Sequence, residues 1–301
     1  MINPLHIDSA QIQAFLAVAE QGSFSQAAHV LHITQPAVSK RIAQLEDQVG
    51  APLFERLARR VELTEWGERL MPAALQYRQA LEEIASTSLD VGQNLSGRLR
   101  IALSHYAGLH VLPDTLSRFN QQHPAVLLDL RFVNSEEALT AVAQGNVMLA
   151  YGTLGDTAYP VTQTPLWEER MQPMIARRHV HTTTPDFGDL QRLAQRLPAI
   201  LPAAHTTTRQ TIDRWLHQSG IAPLAVIEVN QLDSIALLVG TGIGWSVLPE
   251  TLHNERLALI EPGDGPPPPH RRLGLIVHRD RPLSRAALAF MACVQAPGSS
   301  R

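Results

Sequence analysis

The sequence predicts a chain of two textures: an α-rich winged helix-turn-helix at the N-terminus and, past a long linker helix, an α/β region. Three observations predict it. From Gly22 to Thr64, two short helical patterns flank a three-residue turn and lead into an arginine-bearing hairpin. From Glu65 to about Leu89, apolar residues recur four and three apart, the spacing of a coiled-coil seam. From Arg98 onward, short apolar strands alternate with helical stretches, the order of an α/β domain with a largely parallel sheet.

In the first segment, Ser25 or Ser23 is placed to N-cap a short helix, since a hydroxyl accepts from the orphan N–H groups of a first turn. Ala27, Ala28 and Leu31 follow at the spacing of a core-facing stripe. His32-Ile33-Thr34 breaks the period and supplies the turn. Thr34 is a second N-cap candidate, and Pro36 falls in the first turn, where its missing N–H costs nothing. Val38, Ile42, Leu45 and Val49 form one apolar stripe, and Gly50 stands where a helix ends in a left-handed residue. The other face begins with Gln35, Ser39, Lys40 and Arg41. These side chains suit a DNA groove: an amide pairs with adenine, a hydroxyl with either base type, a cation with guanine or phosphate. Glu55 to Glu62 carries Arg56, Arg59 and Arg60 on a wing, where arginines fit phosphate contact or minor-groove insertion.

Charge narrows this reading. Lys40, Arg41, Arg56, Arg59 and Arg60 stand against Asp8, Glu20, Glu46, Asp47, Glu55 and Glu62, so residues 1–64 are not basic overall. The electrostatic footprint is confined to the start of the second helix and the wing. Helix-turn-helix geometry also occurs in proteins that touch no DNA, and the apolar pattern alone leaves both readings open.

The seam that follows is carried by Leu70, Ala74, Tyr77, Leu81 and Ile84; Pro72 either kinks it or marks its first turns. A single helix cannot bury such a stripe alone, so it wants a second copy or the C-terminal domain of its own chain. Gly92 to Gly97 reads as a polar hinge. Strands are expected at Leu99–Leu103, Val126–Val133 and Val147–Tyr151, with helices at His110–Gln122 and Ser135–Gln144. A second unit from about Leu166 to Ile260 holds strands at Pro198–Leu201, Val226–Val229 and Trp245–Leu248, and helices at Arg209–Gln218 and Leu232–Val239. Pro266–Pro269 is a stiff crossover into a strand at Arg271–Val277 and a last helix at Ser284–Gln295.

The bulk numbers exclude several classes. A chain of 301 residues with 45% hydrophobic and 18% charged residues is ordinary for two or three folded domains. A formal net charge of −3 argues against a wholesale polyanion or membrane-surface binder. No basic-then-apolar leader opens the sequence, and no apolar run approaches the roughly 20 residues of a membrane span. The single cysteine, Cys293, excludes an intrachain disulfide and points to a reducing, cytoplasmic setting. No Ser-His-Asp or paired-carboxylate arrangement is visible, and the 13 histidines lack ligand spacing, so no catalytic site, metal or cofactor is expected. Gly240-Thr241-Gly242-Ile243-Gly244 follows an apolar helix rather than a strand and reads as a tight helix-to-strand turn. Arg177, Arg178, His179 and His181 read as a solvated loop, and Cys293 as a core residue of the last helix.

The run Phe15 to Phe24, then Ala27-Ala28, Leu31, Thr34 to Ser39, Ile42, Leu45-Glu46, Gly50, Pro52 to Arg56 and Leu63 to Gly67, resembles the LysR-type transcriptional regulators. The match is nearly gap-free over about sixty residues. It implies that the helix bearing Gln35, Pro36 and Ser39 enters the major groove of double-stranded DNA. By the same resemblance Lys40, Arg41, Arg56 and Arg60 contact DNA around it, and Arg59 joins them as a wing arginine. The resemblance also implies a linker helix paired antiparallel with a second subunit, a homodimer or homotetramer, and an encounter with RNA polymerase. Gly97 to Ile101 with Leu112-Pro113, and Val239 to Gly244 with Leu248-Pro249, resemble the family's effector domain. That implies two Rossmann-like subdomains around a cleft, as in periplasmic solute-binding proteins. The expected division is 1–64 for DNA binding, 65–93 for the linker and 94–297 for the effector domain. Within the last, subdomain I takes 98–162 and 270–296, and subdomain II takes 164–264. One departure stands out. The family usually places an Asp in the strand before the first crossover, whereas here Val147 is followed by Met148.

Ligands of open α/β sheets sit at the carboxyl ends of strands, near helix N-termini. Four such places can be named: Ser104-His105-Tyr106, Asn134-Ser135, Pro202-Ala203-Ala204-His205-Thr206, and Asn230. The resemblance implies effector contacts at Ser104 and Ser135. Each residue also suits a cap or a turn. The function implied is a transcriptional regulator controlled by a small-molecule effector held between the two subdomains. The rivals are a solute-binding protein and an α/β enzyme with an appended N-terminal domain.

Overall fold

A computed structural model describes residues 7–57, 60–89, 95–180, 185–261, 263 and 265–295. The chain divides into two compact units, Met1–Gly97 with Gln144–Asn146, and Arg98–Ala143 with Val147–Arg301.

The first unit opens with α1 (Ser9–Gln21), which Asp8 and Gln11 start by capping each other's backbone: Gln11 N donates to Asp8 Oδ1 at 2.8 Å and Asp8 N to Gln11 Oε1 at 3.0 Å. Gly22 ends it in the left-handed region. Of the two serine candidates, Ser23 is the N-cap of α2 (Phe24–Val30). The turn that follows places His32 at φ 53°, a strained conformation that its sequence pattern did not signal. The third helix, α3 (Gln35–Val49), begins after Thr34, which has the extended cap backbone but makes no side-chain cap bond. Pro36 sits in its first turn and Gly50, at φ 79°, closes it. The wing is an antiparallel pair, β1 (Phe54–Leu57) and β2 (Arg60–Leu63), tied to α3 by Leu53 N donating to Glu46 Oε1 at 2.8 Å.

Phe15, Phe24 and Phe54 stack in the core of this unit, with ring centroids 5.4 and 5.9 Å apart, among Val18, Val38, Ile42 and Leu45. Each such side chain contributes roughly 1.5–3 kcal/mol by leaving water. Thr64 caps α4 (Glu65–Leu89) through Gly67 N at 3.2 Å, and Pro72 does not interrupt that helix. Its apolar stripe is divided. Ala74 and Leu75 are buried in the three-helix core with Leu70 and Met71 against it, whereas Tyr77 and Ile84 are 39% and 64% exposed. The early half of the seam therefore serves its own domain.

The second unit carries a seven-stranded sheet and a two-stranded one. In chain order come β3 (Gly97–Ser104), a π-helical turn (Ala107–Val111), α5 (Pro113–Gln122), β4 (Val126–Val133), α6 (Ser135–Gln144) and β5 (Leu149–Thr153). The expected helix over His110–Gln122 is thus split ahead of Pro113, which starts α5 because it has no N–H to lose. Then follow β6 (Val161–Ala176), α7 (Phe187–Ala194), β7 (Ala199–Leu201), α8 (Thr207–Gln218), β8 (Val226–Glu228), α9 (Leu232–Gly240), β9 (Ser246–Pro249), β10 (Leu257–Leu259), β11 (His270–His278) and α10 (Arg285–Gln295).

The sheet is mixed rather than largely parallel. β3 and β5 pair in parallel, but β11 returns from the second lobe to insert antiparallel between β5 and β6. β6 belongs to both lobes: Val161 to Arg170 pairs with β11, while Met171 to Ala176 pairs with β9 and β10. The subdomain boundary expected at 162–164 falls inside this strand. Its Pro165 is accommodated by a register shift opposite Leu273 and Gly274, where a Cβ on residue 274 would lie 2.0 Å from Thr164 O.

The smaller lobe packs around Trp215 and Trp245, with β7 and β8 in parallel. The glycine run after α9 is a helix-to-strand turn: Gly242 has φ 74°, and a Cβ on residue 244 would meet Pro198 O at 2.4 Å. Arg177 and His179 are not merely a solvated loop. They form a 3₁₀ turn in which Arg177 donates to the Glu255 and Leu257 carbonyls and His179 Nε2 lies 3.1 Å from Gly242 O. Arg178 packs beside Gly242, and His181 falls outside the described residues. Cys293 is buried on α10, its Sγ 3.2 Å from Gln122 Oε1.

Candidate DNA-reading face and ligand pocket

On α3 the helical period separates two faces. Val38, Ile42 and Leu45 are buried, so Gln35, Pro36 and Lys40 are exposed and Ser39 and Arg41 lie at the margins. Ala43 and Gln44 continue the exposed row for another turn, and it ends at Asp47, whose carboxylate would repel a phosphate. Among the described residues no ion pair holds Lys40 or Arg41, which leaves both charges available. Lys40 is also the only lysine in the sequence. On the wing, Arg56 lies opposite Val61 and Arg60 opposite Leu57; Arg59 is outside the described residues.

In the second unit the candidate strand ends converge on one pocket of about 460 Å³, including its open mouth. Ser104, His105, Tyr106, Ser135, Pro202 and Asn230 line it; Ala203 does not, its carbonyl being taken by Thr206 Oγ1 at 2.9 Å. The carboxyl ends of β3, β4, β7 and β8 all open here, each followed by a helical turn, as an α/β sheet dictates. Both serines also have local work. Ser104 Oγ accepts from Ala107 N at 3.3 Å, and Ser135 Oγ accepts from Thr153 N at 2.9 Å. Asn134 caps α6 through Glu137 N at 2.7 Å, and Thr206 caps α8 through Arg209 N at 3.2 Å. Gln231, at the N-cap of α9, makes no side-chain cap bond.

Sequence reasoning missed the residues that polarise the pocket. Glu136, beside Ser135, accepts from Thr207 N of α8 at 2.8 Å and so joins the two lobes. His110 Nε2 lies 2.7 Å from Asp233 Oδ1, a second link of that kind. Arg271, 4% exposed on β11, also lines the cavity. Its guanidinium covers the Tyr106 ring at 4.3 Å and donates from Nε to Glu169 Oε2 at 2.8 Å. The other oxygen of Glu169 accepts from the Tyr106 hydroxyl, which also contacts Thr251. Burial first, then the Glu169 charge, pushes the Tyr106 phenol well above its ordinary range and Tyr151 up to about 12. The only signal for Arg271 was a pair of arginines, Arg271 and Arg272, opening a strand whose next five residues are Leu-Gly-Leu-Ile-Val. Nothing local pointed to Glu169.

The comparisons with known proteins come down on one family. Residues 9–68 match the model of bacterial regulatory helix-turn-helix proteins of the lysR family, and residues 92–297 match the LysR substrate binding domain. The chain belongs to the LysR family of transcriptional regulators, with a DNA-binding helix-turn-helix and an effector-binding domain. A relative from Cyanidioschyzon merolae named "Probable RuBisCO transcriptional regulator" is 31% identical over 243 residues, 78% of each chain. Among solved structures, the fold resembles a full-length OxyR variant from Pseudomonas aeruginosa, with TM-score 0.74 and 19% identity, covering 98% of this chain and 97% of that one. It also resembles CbnR crystallised with its target DNA, with TM-score 0.67 and 19% identity, covering 96% and 99%. Among the described residues no helix is long and apolar enough to cross a membrane, and no group of three or more His, Cys, Asp or Glu could hold a metal.

Proposed function

We propose that this regulator reads operator DNA with α3. Gln35, Pro36 and Ser39 would face base edges in the major groove, and Lys40, Arg41, Arg56, Arg59 and Arg60 the flanking backbone. One observation carries it: Gln35, Pro36 and Lys40 are exposed and are aimed outward by the buried Val38–Ile42–Leu45 stripe, and among the described residues no ion pair holds Lys40. The DNA complex of CbnR supports the same use of the fold. The exposed Tyr77 and Ile84 support a homodimer or homotetramer that covers the later half of α4. The divisions 1–64, 65–93 and 94–297 fit a reader, a linker and a sensor. We read the chain as a cytoplasmic, non-enzymatic regulator that meets RNA polymerase at a promoter.

Ser104, His105, Tyr106, Ser135, Pro202 and Asn230 are its effector contacts in this reading, with Ala203 buried behind them. An effector acts by binding one closure state of the lobes more tightly than the other. The test is fluorescence anisotropy on DNA from upstream of this protein's own gene, at two salt concentrations, with Gln35→Ala alongside. Specific, salt-sensitive binding that Gln35→Ala loses or relaxes is the expected result. Equal binding to scrambled DNA by the wild type would remove α3 as a reader of that site.

A further inference from the structure

We propose that Gly67 determines which operator spacing this regulator accepts, because its missing side chain fixes the angle between the reading helix α3 and the linker helix α4. The role rests on the operator reading above and adds to it the distance between the two half-sites that a homodimer contacts.

The two helices meet on the peptide groups of one buried residue, Leu53. Its N–H donates to Glu46 Oε1 of α3 at 2.8 Å, and its carbonyl accepts from Thr64 N, at the foot of α4, at 3.0 Å. Thr64 Oγ1 donates to Pro52 O at 2.6 Å while accepting from Gly67 N at 3.2 Å. The first turn of α4 thus rests against the Leu53 carbonyl, and only glycine allows it. A Cβ on residue 67 would stand 2.3 Å from Leu53 O and 2.8 Å from Leu63 Cδ2. Gly67 is helical, so the requirement is one of space and not of backbone strain.

A second attachment lies further along the same helix. Ala74 and Leu75 are buried in the three-helix core, and Arg78 Nη1 meets Glu20 Oε1 of α1 at 2.6 Å. Tyr77 and Ile84, at and past this point, are exposed on the stretch that a second copy covers. The helix is therefore a lever, with its foot on Leu53, its pivot at Ala74 to Arg78 and its dimer arm beyond.

The lengths decide what a side chain at the foot would do. Moving a Cβ from 2.3 Å to an ordinary contact of 3.4 Å lifts the foot by about 1 Å. Foot and pivot are roughly 10 Å apart at about 1.5 Å per residue, so the lever tilts by about 6°. Ile84 lies roughly 15 Å past Ala74 and moves by about 1.5 Å. A two-fold axis doubles that to about 3 Å, close to the ~3.4 Å of one base-pair step.

The test is selection of duplexes from a random DNA library by the full-length wild type, Gly67→Ala and Glu20→Gln, followed by sequencing. The wild type should enrich paired half-sites at one distance. Gly67→Ala should enrich the same half-site sequence at a distance changed by one base pair. Glu20→Gln removes the strut and leaves the foot untouched, so it should accept the neighbouring distances as well, and it decides the matter where Gly67→Ala melts early. Affinity of the variants for a duplex with a single half-site should stay within about twofold of wild type, whereas merely structural damage lowers it together with the melting temperature. Retention of the wild-type distance by every variant that folds, or half-site affinity that falls in step with the melting temperature, would overturn the role of Gly67 alone. Enrichment of no paired half-sites by the wild type would overturn the operator reading, and this role with it.

Discussion

Glu136 Oε1 and Thr207 N lie 2.8 Å apart, so a carboxylate from α6 in one lobe caps α8 in the other. An N-terminal amide of α8 that would otherwise need water is satisfied across the cleft. Glu136→Ala should therefore destabilise the closed lobes by about 0.5–2 kcal/mol. That corresponds to a fall in Tm of roughly 2–4 °C per kcal/mol for a domain of this size. Glu136→Gln, which keeps an acceptor, should lose less than half as much. Scanning calorimetry decides it, and identical melting of the two variants would show that the contact contributes nothing.

Gly50 and Gly244 are both glycines that ought to resist alanine, for opposite reasons. Gly50 has φ 79° and nothing within 4 Å of where a Cβ would stand, so only backbone strain of roughly 1–2 kcal/mol opposes substitution. At Gly244 a Cβ would meet Pro198 O at 2.4 Å, so any side chain forces the chain apart at a cost of about 1–3 kcal/mol. Asparagine separates the two. Gly50→Asn should be milder than Gly50→Ala, because asparagine tolerates the left-handed region, while Gly244→Asn should be worse than Gly244→Ala. Urea midpoints for the four variants check the order.

Lys40 offers an unusually clean readout as the sole lysine. Lys40→Gln should weaken binding to specific and scrambled DNA alike and reduce the slope of log K against log salt by about 1, the signature of one lost phosphate contact. An amine-reactive reagent should label Lys40 in the free protein and be excluded by operator DNA. Labelling unaffected by DNA would place Lys40 off the contact surface.

Tyr106 and Tyr151 stay protonated in the fold because burial, reinforced by the Glu169 charge, disfavours a phenolate. In the unfolded chain a phenol ionises near 10. A raised folded pKa contributes stability that is intact below about pH 10 and is lost as pH rises toward 12. Alkaline titration should accordingly show a late phenolate absorbance that coincides with loss of circular dichroism. Tyr151→Phe should shrink that late step. A step that precedes unfolding would mean the phenol ionises inside the fold.

How much of this was legible in the sequence depended on range. The ends of α3 at Pro36 and Gly50, and the limits of β4 and α6, follow from caps and periods within a few residues, and the sequence pattern located them. β6 was missed because Pro165, Pro173 and the run Glu168-Glu169-Arg170 spoil any alternation. Its continuity is set by partners supplied later in the chain by β9, β10 and β11. The pocket was legible where a strand end meets a helix start, as at Ser104, Ser135 and Asn230. Arg271 and Glu169 were not, since they meet across 102 residues and only the inserted β11 brings them together. Ala203, adjacent in sequence to the lining residue Pro202, is buried and is not among the residues that line the pocket.

The sixteen residues of β6 impose a rule on how this chain can change over time. Alternate side chains of one strand point to opposite sides, and here a single strand sets that parity for both lobes. Deleting one residue near Arg170 would keep either lobe in phase only by turning the other inside out, core residues to water and surface residues inward. β6 can be edited only letter for letter. Descendants of this protein should therefore preserve the spacing between Val161 and Ala176 even where they have replaced most of what lies between.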